Sequence, residues 1–117
     1  MSSEIPIHIS PKSLKEWLEN ESMRKAIIDV REQSEIDFAP FPYNVIHLPL
    51  SKFNQWIDVL NKKIPMNNNI VVICHSGIRS WEFGSWLIQN GFIDKVYNLQ
   101  GGIDAWSIEI DSRVKRY

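Results

Sequence analysis

Cys74, His75, Ser76, Gly77, Ile78, Arg79 and Ser80 form the segment whose residue types and spacing best suit covalent chemistry. The segment follows an apolar run and precedes a helix-like stretch. Small residues at Ser76 and Gly77 let a short strand-to-helix turn curl, so that several backbone N–H groups point inward. Such a concavity binds anions. The unpaired N–H groups at the start of the next helix and its dipole add to it. Arg79 supplies a fixed positive charge with planar donors suited to an oxyanion. The expected anion site is therefore the backbone of His75, Ser76, Gly77, Ile78 and Arg79, together with the Arg79 side chain.

Cys74 sits at the mouth of that turn and is the expected nucleophile. A free thiol ionises near pH ~8.5, which leaves only about 3% thiolate at pH 7. Helix N-termini and nearby cations lower that value by two units or more. A two-unit fall corresponds to about 2.7 kcal/mol of preferential thiolate stabilisation. The same donors could hold a persulfide, whose charge lies one atom further out. The competing reading is that a lone cysteine ending an apolar strand is simply a small buried hydrophobe. The His, Ser, Gly and Arg that follow favour the reactive reading. His75 is given no side-chain role.

The elements that position this turn follow from pattern. Residues 70–73 are four consecutive β-branched residues, as expected of a strand covered on both faces. Residues 79–90 read as a helix ended by Gly91. Ile7, His8 and Ile9 form a first strand, and Ser10-Pro11 is a helix start carrying Leu14, Trp17 and Leu18 at helical spacing. Further strands are expected at 26–30, 45–48 and 96–99. Further helices are expected at 32–38, from Ser51 through Leu60, and around 103–106. Pro40 and Pro42 exclude a helix between 39 and 43. The alternation implies an α/β fold with a mostly parallel sheet flanked by helices on both faces. Ligands in such folds bind beyond the carboxyl ends of strands. That rule points to Asp29-Val30-Arg31, to His47-Leu48-Pro49 and to Cys74. Asp29 and Arg31 are expected to be structural, pinning neighbouring loops.

The 117 residues carry 13 Lys+Arg against 14 Asp+Glu, a net charge of -1. One domain over 1–117 is expected. Near-neutral charge argues against nucleic acid or an anionic membrane as partner. No apolar run approaches the ~20 residues of a membrane span. The first six residues lack the basic and apolar regions of a secretory leader. One cysteine excludes an internal disulfide, and His8, His47 and His75 are too scattered for a metal cluster. A lone free thiol fits a reducing, cytoplasmic compartment.

Four ordered blocks over some eighty residues resemble the rhodanese-like sulfurtransferase family in its small, single-domain bacterial form. They are Ile27-Ile28-Asp29-Val30-Arg31-Glu32, His47-Leu48-Pro49-Leu50, the Cys-x-x-Gly-x-Arg-Ser loop at Cys74 to Ser80, and Gly91-Phe92 with the Val96 to Trp106 closing pattern. The resemblance implies a five-stranded sheet. It also implies that Cys74 accepts sulfane sulfur from thiosulfate or another donor and passes it to cyanide, a thiol or a protein cysteine, without a metal or organic cofactor. Two features depart from the family pattern. Residues 38–44 replace the usual Gly-His-Ile-Pro-Gly-Ala, and Trp81 follows Arg79-Ser80 where a small residue is common. Two other functions compete. A non-enzymatic binding module of this family typically lacks the cysteine. A phosphatase or arsenate reductase on the same scaffold has five residues between Cys and Arg, where this loop has four.

Overall fold

The computed structural model describes residues 5–65 and 67–117. The first four residues, included in the reading against a secretory leader, lie outside that range. Five strands form one fully parallel sheet: β1 (Ile7–Ile9), β2 (Lys25–Asp29), β3 (Ile46–His47), β4 (Asn69–Ile73) and β5 (Tyr97–Leu99). Their order across the sheet is β1-β5-β4-β2-β3. The apolar run at 70–73 is thus the central strand, flanked on both sides and covered on both faces. That is the burial a continuous β-branched run demands.

Alternate residues of β2 and β4 feed two separate apolar layers. Ile28, Ile70, Val72 and Cys74 face one layer, with Trp56, Leu60, Phe83 and Leu87. Ile27, Val71 and Ile73 face the other, with Leu14, Phe41, Ile103 and Trp106. The first layer packs under α3 (Phe53–Trp56), α4 (Leu60–Lys63) and α5 (Ile78–Gln89). The second packs under α1 (Pro11–Glu19) and α6 (Gly102–Glu109). The sulfur therefore lies on the α5 side of the sheet.

Local signals act as the residue types require. The Ser10 hydroxyl accepts from the Ser13 N–H at 3.1 Å and opens α1, with Pro11 in its first turn. Helix α5 ends with the Gly91 N–H on the Ile88 carbonyl and the Phe92 N–H on the Leu87 carbonyl. Gly91 has φ 74°, the left-handed residue such a helix end needs. The helix expected from Ser51 is instead a chain of short turns. A 3-10 turn at Leu50–Lys52 leads into α3, and another at Ile57–Val59 joins α3 to α4. Its apolar spacing survives, because Phe53 and Trp56 pack edge-on to each other and to Trp86 and Phe83. The short α2 (Gln33–Phe38) follows β2. Phe41, in the proline-containing segment after it, is buried against Trp106.

Candidate active site

Cys74 stands one residue past the end of β4, and Gly77 caps α5 with φ 93°. A β-carbon at Gly77 would lie 3.1 Å from the Leu99 carbonyl oxygen and 3.2 Å from the Gly101 nitrogen. Glycine therefore meets both a conformational and a steric requirement here. The turn brings the Gly77 N–H within 3.1 Å of Cys74 Sγ and the Ser80 N–H within 3.3 Å. Ser80 is the third residue of α5, so the sulfur accepts the bond that a capping oxygen usually takes. Among the described residues these are the two amides that reach the sulfur. Of the expected donors only Gly77 is one of them. Ser80 joins it from outside the expected set, while His75, Ser76, Ile78 and Arg79 do not direct their amides onto Sγ. The sulfur is wholly buried, yet it faces the positive end of a helix as well as hydrocarbon.

The start of α6 fixes the turn from behind. The Ile103 N–H donates to the Cys74 carbonyl at 2.9 Å, and the Asp104 N–H donates to the His75 carbonyl at 3.0 Å. In a planar trans peptide the N–H points opposite to its carbonyl. Holding these two carbonyls on α6 therefore turns the N–H groups of His75 and Ser76 away from it. Gly102 permits the approach: a β-carbon there would sit 2.4 Å from the His75 carbonyl oxygen and 2.5 Å from that of Cys74.

Arg79 engages a carboxylate. Its Nη1 and Nη2 donate to Glu35 Oε1 and Oε2 at 2.7 and 2.8 Å. Glu35 also accepts from the Glu32 N–H at 3.0 Å and from the Tyr117 hydroxyl at 2.8 Å. The bonds from Arg79 hold the Glu35 carboxyl down at about 2. Arg79 is held above its ordinary value, first by Glu35 and further by the nearby Cys74 sulfur. Burial pushes the Tyr117 phenol up to about 12. The Tyr117 ring stacks on His75, with centroids 4.1 Å apart.

Asp29 and Arg31 form a buried pair beside this network. Arg31 Nε lies 3.1 Å from each Asp29 oxygen, and Nη2 lies 2.9 Å from Oδ2. Arg31 Nη1 reaches the Ala39 carbonyl at 3.0 Å and the Tyr117 hydroxyl at 3.2 Å. Burial works to lower the Arg31 value, but the hydrogen bonds and charge of Asp29 keep it raised. The pair thus ties the end of β2 to the segment after α2 and to Tyr117. His47, at the end of β3, places Nε2 2.6 Å from the Arg31 carbonyl. A carbonyl only accepts, so that nitrogen carries the hydrogen. Trp81 stacks on His8 with centroids 4.5 Å apart, beside a groove of about 370 Å³ bordered by Ser76, Gly77, Ile78 and Asn98.

Residues 10–109 match the family described as rhodanese-like domain. The chain belongs to that family. A thiosulfate sulfurtransferase, GlpE, from Actinobacillus pleuropneumoniae is 31% identical over 104 residues, covering 89% of each chain. The rhodanese-like/PpiC domain-containing protein 12 of Arabidopsis thaliana is 36% identical over 91 residues, which are 78% of this chain and 30% of that protein. The crystal structure of a rhodanese-like domain protein from Staphylococcus aureus superposes with a TM-score of 0.71 at 31% identity, covering 95% of this chain and 98% of that one.

Within this rhodanese-like domain, three site neighbours escape sequence reasoning: Glu35, Asn98 and Tyr117. Glu35 reads as one polar residue of a short surface helix. Asn98 carries a faint signal, as a polar residue between apolar ones in a short strand. Tyr117 lies beyond the residues matched to the family and 86 positions from Arg31, so no local pattern announces it. Among the described residues no group of three His, Cys, Asp or Glu is placed to hold a metal ion, and no helix is long and apolar enough to cross a membrane.

Proposed function

We propose that this protein is a sulfurtransferase that carries sulfane sulfur on Cys74. The observation that carries the reading is a buried sulfur receiving two amide N–H groups at the start of α5, with the Arg79 guanidinium nearby. Fixed donors aimed at a sulfur stabilise its anion without reorganisation. Family membership supports the same reading.

In the loading step the Cys74 thiolate attacks the outer sulfur of thiosulfate, or of another persulfide donor. With thiosulfate, the donor S–S bond breaks and sulfite leaves with the bonding pair. Thiolate and dianion become persulfide and sulfite dianion, so charge balances. In the second step an acceptor attacks the outer sulfur of the persulfide. Cyanide leaves as thiocyanate and regenerates the thiolate; a small-molecule or protein thiolate acceptor leaves as a persulfide. This is covalent catalysis that divides one transfer into two displacements. No step calls on a metal or organic cofactor. Gly77 and Ser80 supply the amides on the sulfur, and the backbone of His75, Ser76, Ile78 and Arg79 completes the anion-binding turn. Asp29 and Arg31 hold its surroundings. Because Cys74 is wholly buried, a donor reaches it when the rim parts.

Intact-mass measurement after incubation with thiosulfate tests the reading. One added sulfur atom, discharged by cyanide and absent from Cys74→Ala, is expected. Full turnover in Cys74→Ala, or aryl phosphate hydrolysis lost in Cys74→Ser, overturns it.

A further inference from the structure

Ser80 Oγ lies 3.2 Å from Cys74 Sγ, a bond in which either atom can donate, and 2.5 Å from Asn98 Oδ1, which can only accept. Ser80 and Asn98 are both buried, on α5 and β5. The orientation of the Asn98 amide is fixed from its far end. Its Nδ2 donates to the Gly77 carbonyl at 3.2 Å and lies 3.5 Å from His8 Nδ1. The Gly77 oxygen can only accept, so the end of Asn98 that faces Ser80 is a carbonyl oxygen. A serine hydroxyl has one hydrogen to give.

With a neutral thiol the chain closes: S–H donates to Ser80 Oγ, and Ser80 O–H donates to Asn98 Oδ1. With a thiolate it does not. The sulfur becomes a pure acceptor, and the Ser80 hydrogen must leave Asn98 to serve it. Otherwise an oxygen lone pair confronts a negative sulfur. We propose that Asn98 competes with the Cys74 thiolate for the single hydroxyl hydrogen of Ser80, which makes Asn98 and Ser80 positioning residues of opposite sign. Asn98 holds the free cysteine toward its thiol, and Ser80 supports the thiolate.

The inference rests on the sulfur-carrier reading for its consequence. In a persulfide the inner sulfur has neither proton nor full charge, so the Ser80 hydrogen is free to return to Asn98. The competition therefore opposes the unloaded thiolate and is relieved on loading. It restrains indiscriminate reaction of the empty site and favours the sulfur-bearing state.

Other titratable groups stand on the elements packed around the turn. Arg79 comes from α5, His75 from the turn, and Asp29 and Arg31 from the end of β2. Glu35 comes from α2, His47 from the end of β3, Tyr117 from the tail, and His8 from β1 behind Asn98. The α3 and α4 side contributes apolar Trp56 and Leu60 to the same layer. Every titratable group in this set is retained in the two variants below. Asn98→Leu also removes the bond to the Gly77 carbonyl, but loosening the Gly77 amide on the sulfur would raise the midpoint, so a fall reports on the Ser80 hydrogen.

The test is the pH dependence of iodoacetamide labelling of Cys74 in wild type, Asn98→Leu and Ser80→Ala, with folding checked by thermal melting. For Asn98→Leu the midpoint is expected to fall by about half to one pH unit, and labelling below the midpoint to quicken about three- to tenfold. For Ser80→Ala the midpoint is expected to rise. Asn98→Ala replaces the leucine variant if that one does not fold. A general loosening would quicken labelling at every pH and leave the midpoint in place; that result, or midpoints moving in the same direction, overturns the proposal. Labelling needs no sulfur donor. A protein that never loads sulfur would refute the function and leave this competition standing, whereas unmoved midpoints with intact loading would refute the competition alone.

Discussion

Arg79 and Glu35 meet as a two-pronged ion pair, with 2.7 and 2.8 Å between guanidinium nitrogens and carboxylate oxygens. The cation expected to greet an incoming anion is thus already engaged by one supplied from α2. The pair is partly exposed, with 35% of the Arg79 side chain and 18% of the Glu35 side chain accessible, so solvent moderates its strength.

Under the proposed sulfur-carrier function, an anionic donor that binds Arg79 competes with Glu35. Glu35→Gln removes the competing charge and keeps the shape. The KM for thiosulfate is expected to fall about fivefold, the equivalent of roughly 1 kcal/mol, with kcat changing less. Steady-state thiocyanate formation across a thiosulfate series measures both. An unchanged or raised KM would mean that Glu35 orients Arg79 more than it blocks it.

Glu35 also makes stability depend on acid. Its folded value of about 2 lies below the ordinary 4.5, so the unfolded chain takes up the proton first. The stabilisation is fully present above about pH 5, and it fades as pH falls toward 2. About 1–2 kcal/mol is expected to be lost over that window after allowance for solvent. Urea unfolding at stepped pH should show a shallower acid slope in Glu35→Gln than in wild type.

Removing Asp29 strands the buried Arg31 guanidinium. Asp29→Asn is expected to cost about 3–5 kcal/mol, the usual penalty for leaving one partner of a buried pair uncompensated. Chemical denaturation measures it. A loss below about 1 kcal/mol would show that the Ala39 carbonyl and the Tyr117 hydroxyl suffice to hold the cation.

Gly102→Ala places a methyl group against the carbonyls of Cys74 and His75 at 2.4–2.5 Å. Backbone cannot swing aside as a flexible side chain does, so a loss of about 3 kcal/mol or more is expected. Sulfur loading should fall with it, because α6 would no longer hold the turn. A melting temperature equal to wild type would refute the close approach.

Tyr117→Phe keeps the ring on His75 and removes the hydroxyl bridging Arg31 and Glu35. A cost of about 1 kcal/mol is expected. Tyr117→Ala also loses the stack and should cost more. Thermal melts of the two variants separate the contributions, and equal melts would assign the whole effect to the hydroxyl.

The sequence by itself determined whatever depends on near neighbours. Ser10 with Pro11 opened α1, Gly91 closed α5, and the unbroken β-branched run at 70–73 required burial on both faces. The same locality made the Cys74 to Arg79 turn legible, since a strand end, two small residues and a helix start lie within six positions. The parallel sheet followed from strand and helix alternation. The helix expected from Ser51 broke into short turns, because aromatic packing of Phe53 and Trp56 against Phe83 and Trp86 set the path where helical propensity was weak.

Only tertiary structure decided the strand order, the partner of Arg79 and the partner of Ser80. Glu35 lies 44 positions from Arg79, Asn98 lies 18 from Ser80, and Tyr117 lies 86 from Arg31. Side-chain periodicity reports which face of an element is buried, but it carries no record of what waits on the other side. Those meetings are fixed by how the sheet stacks β5 beside β4, by how α2 is folded back toward α5, and by how the tail returns over His75. They set the charge and the hydrogen supply around the sulfur.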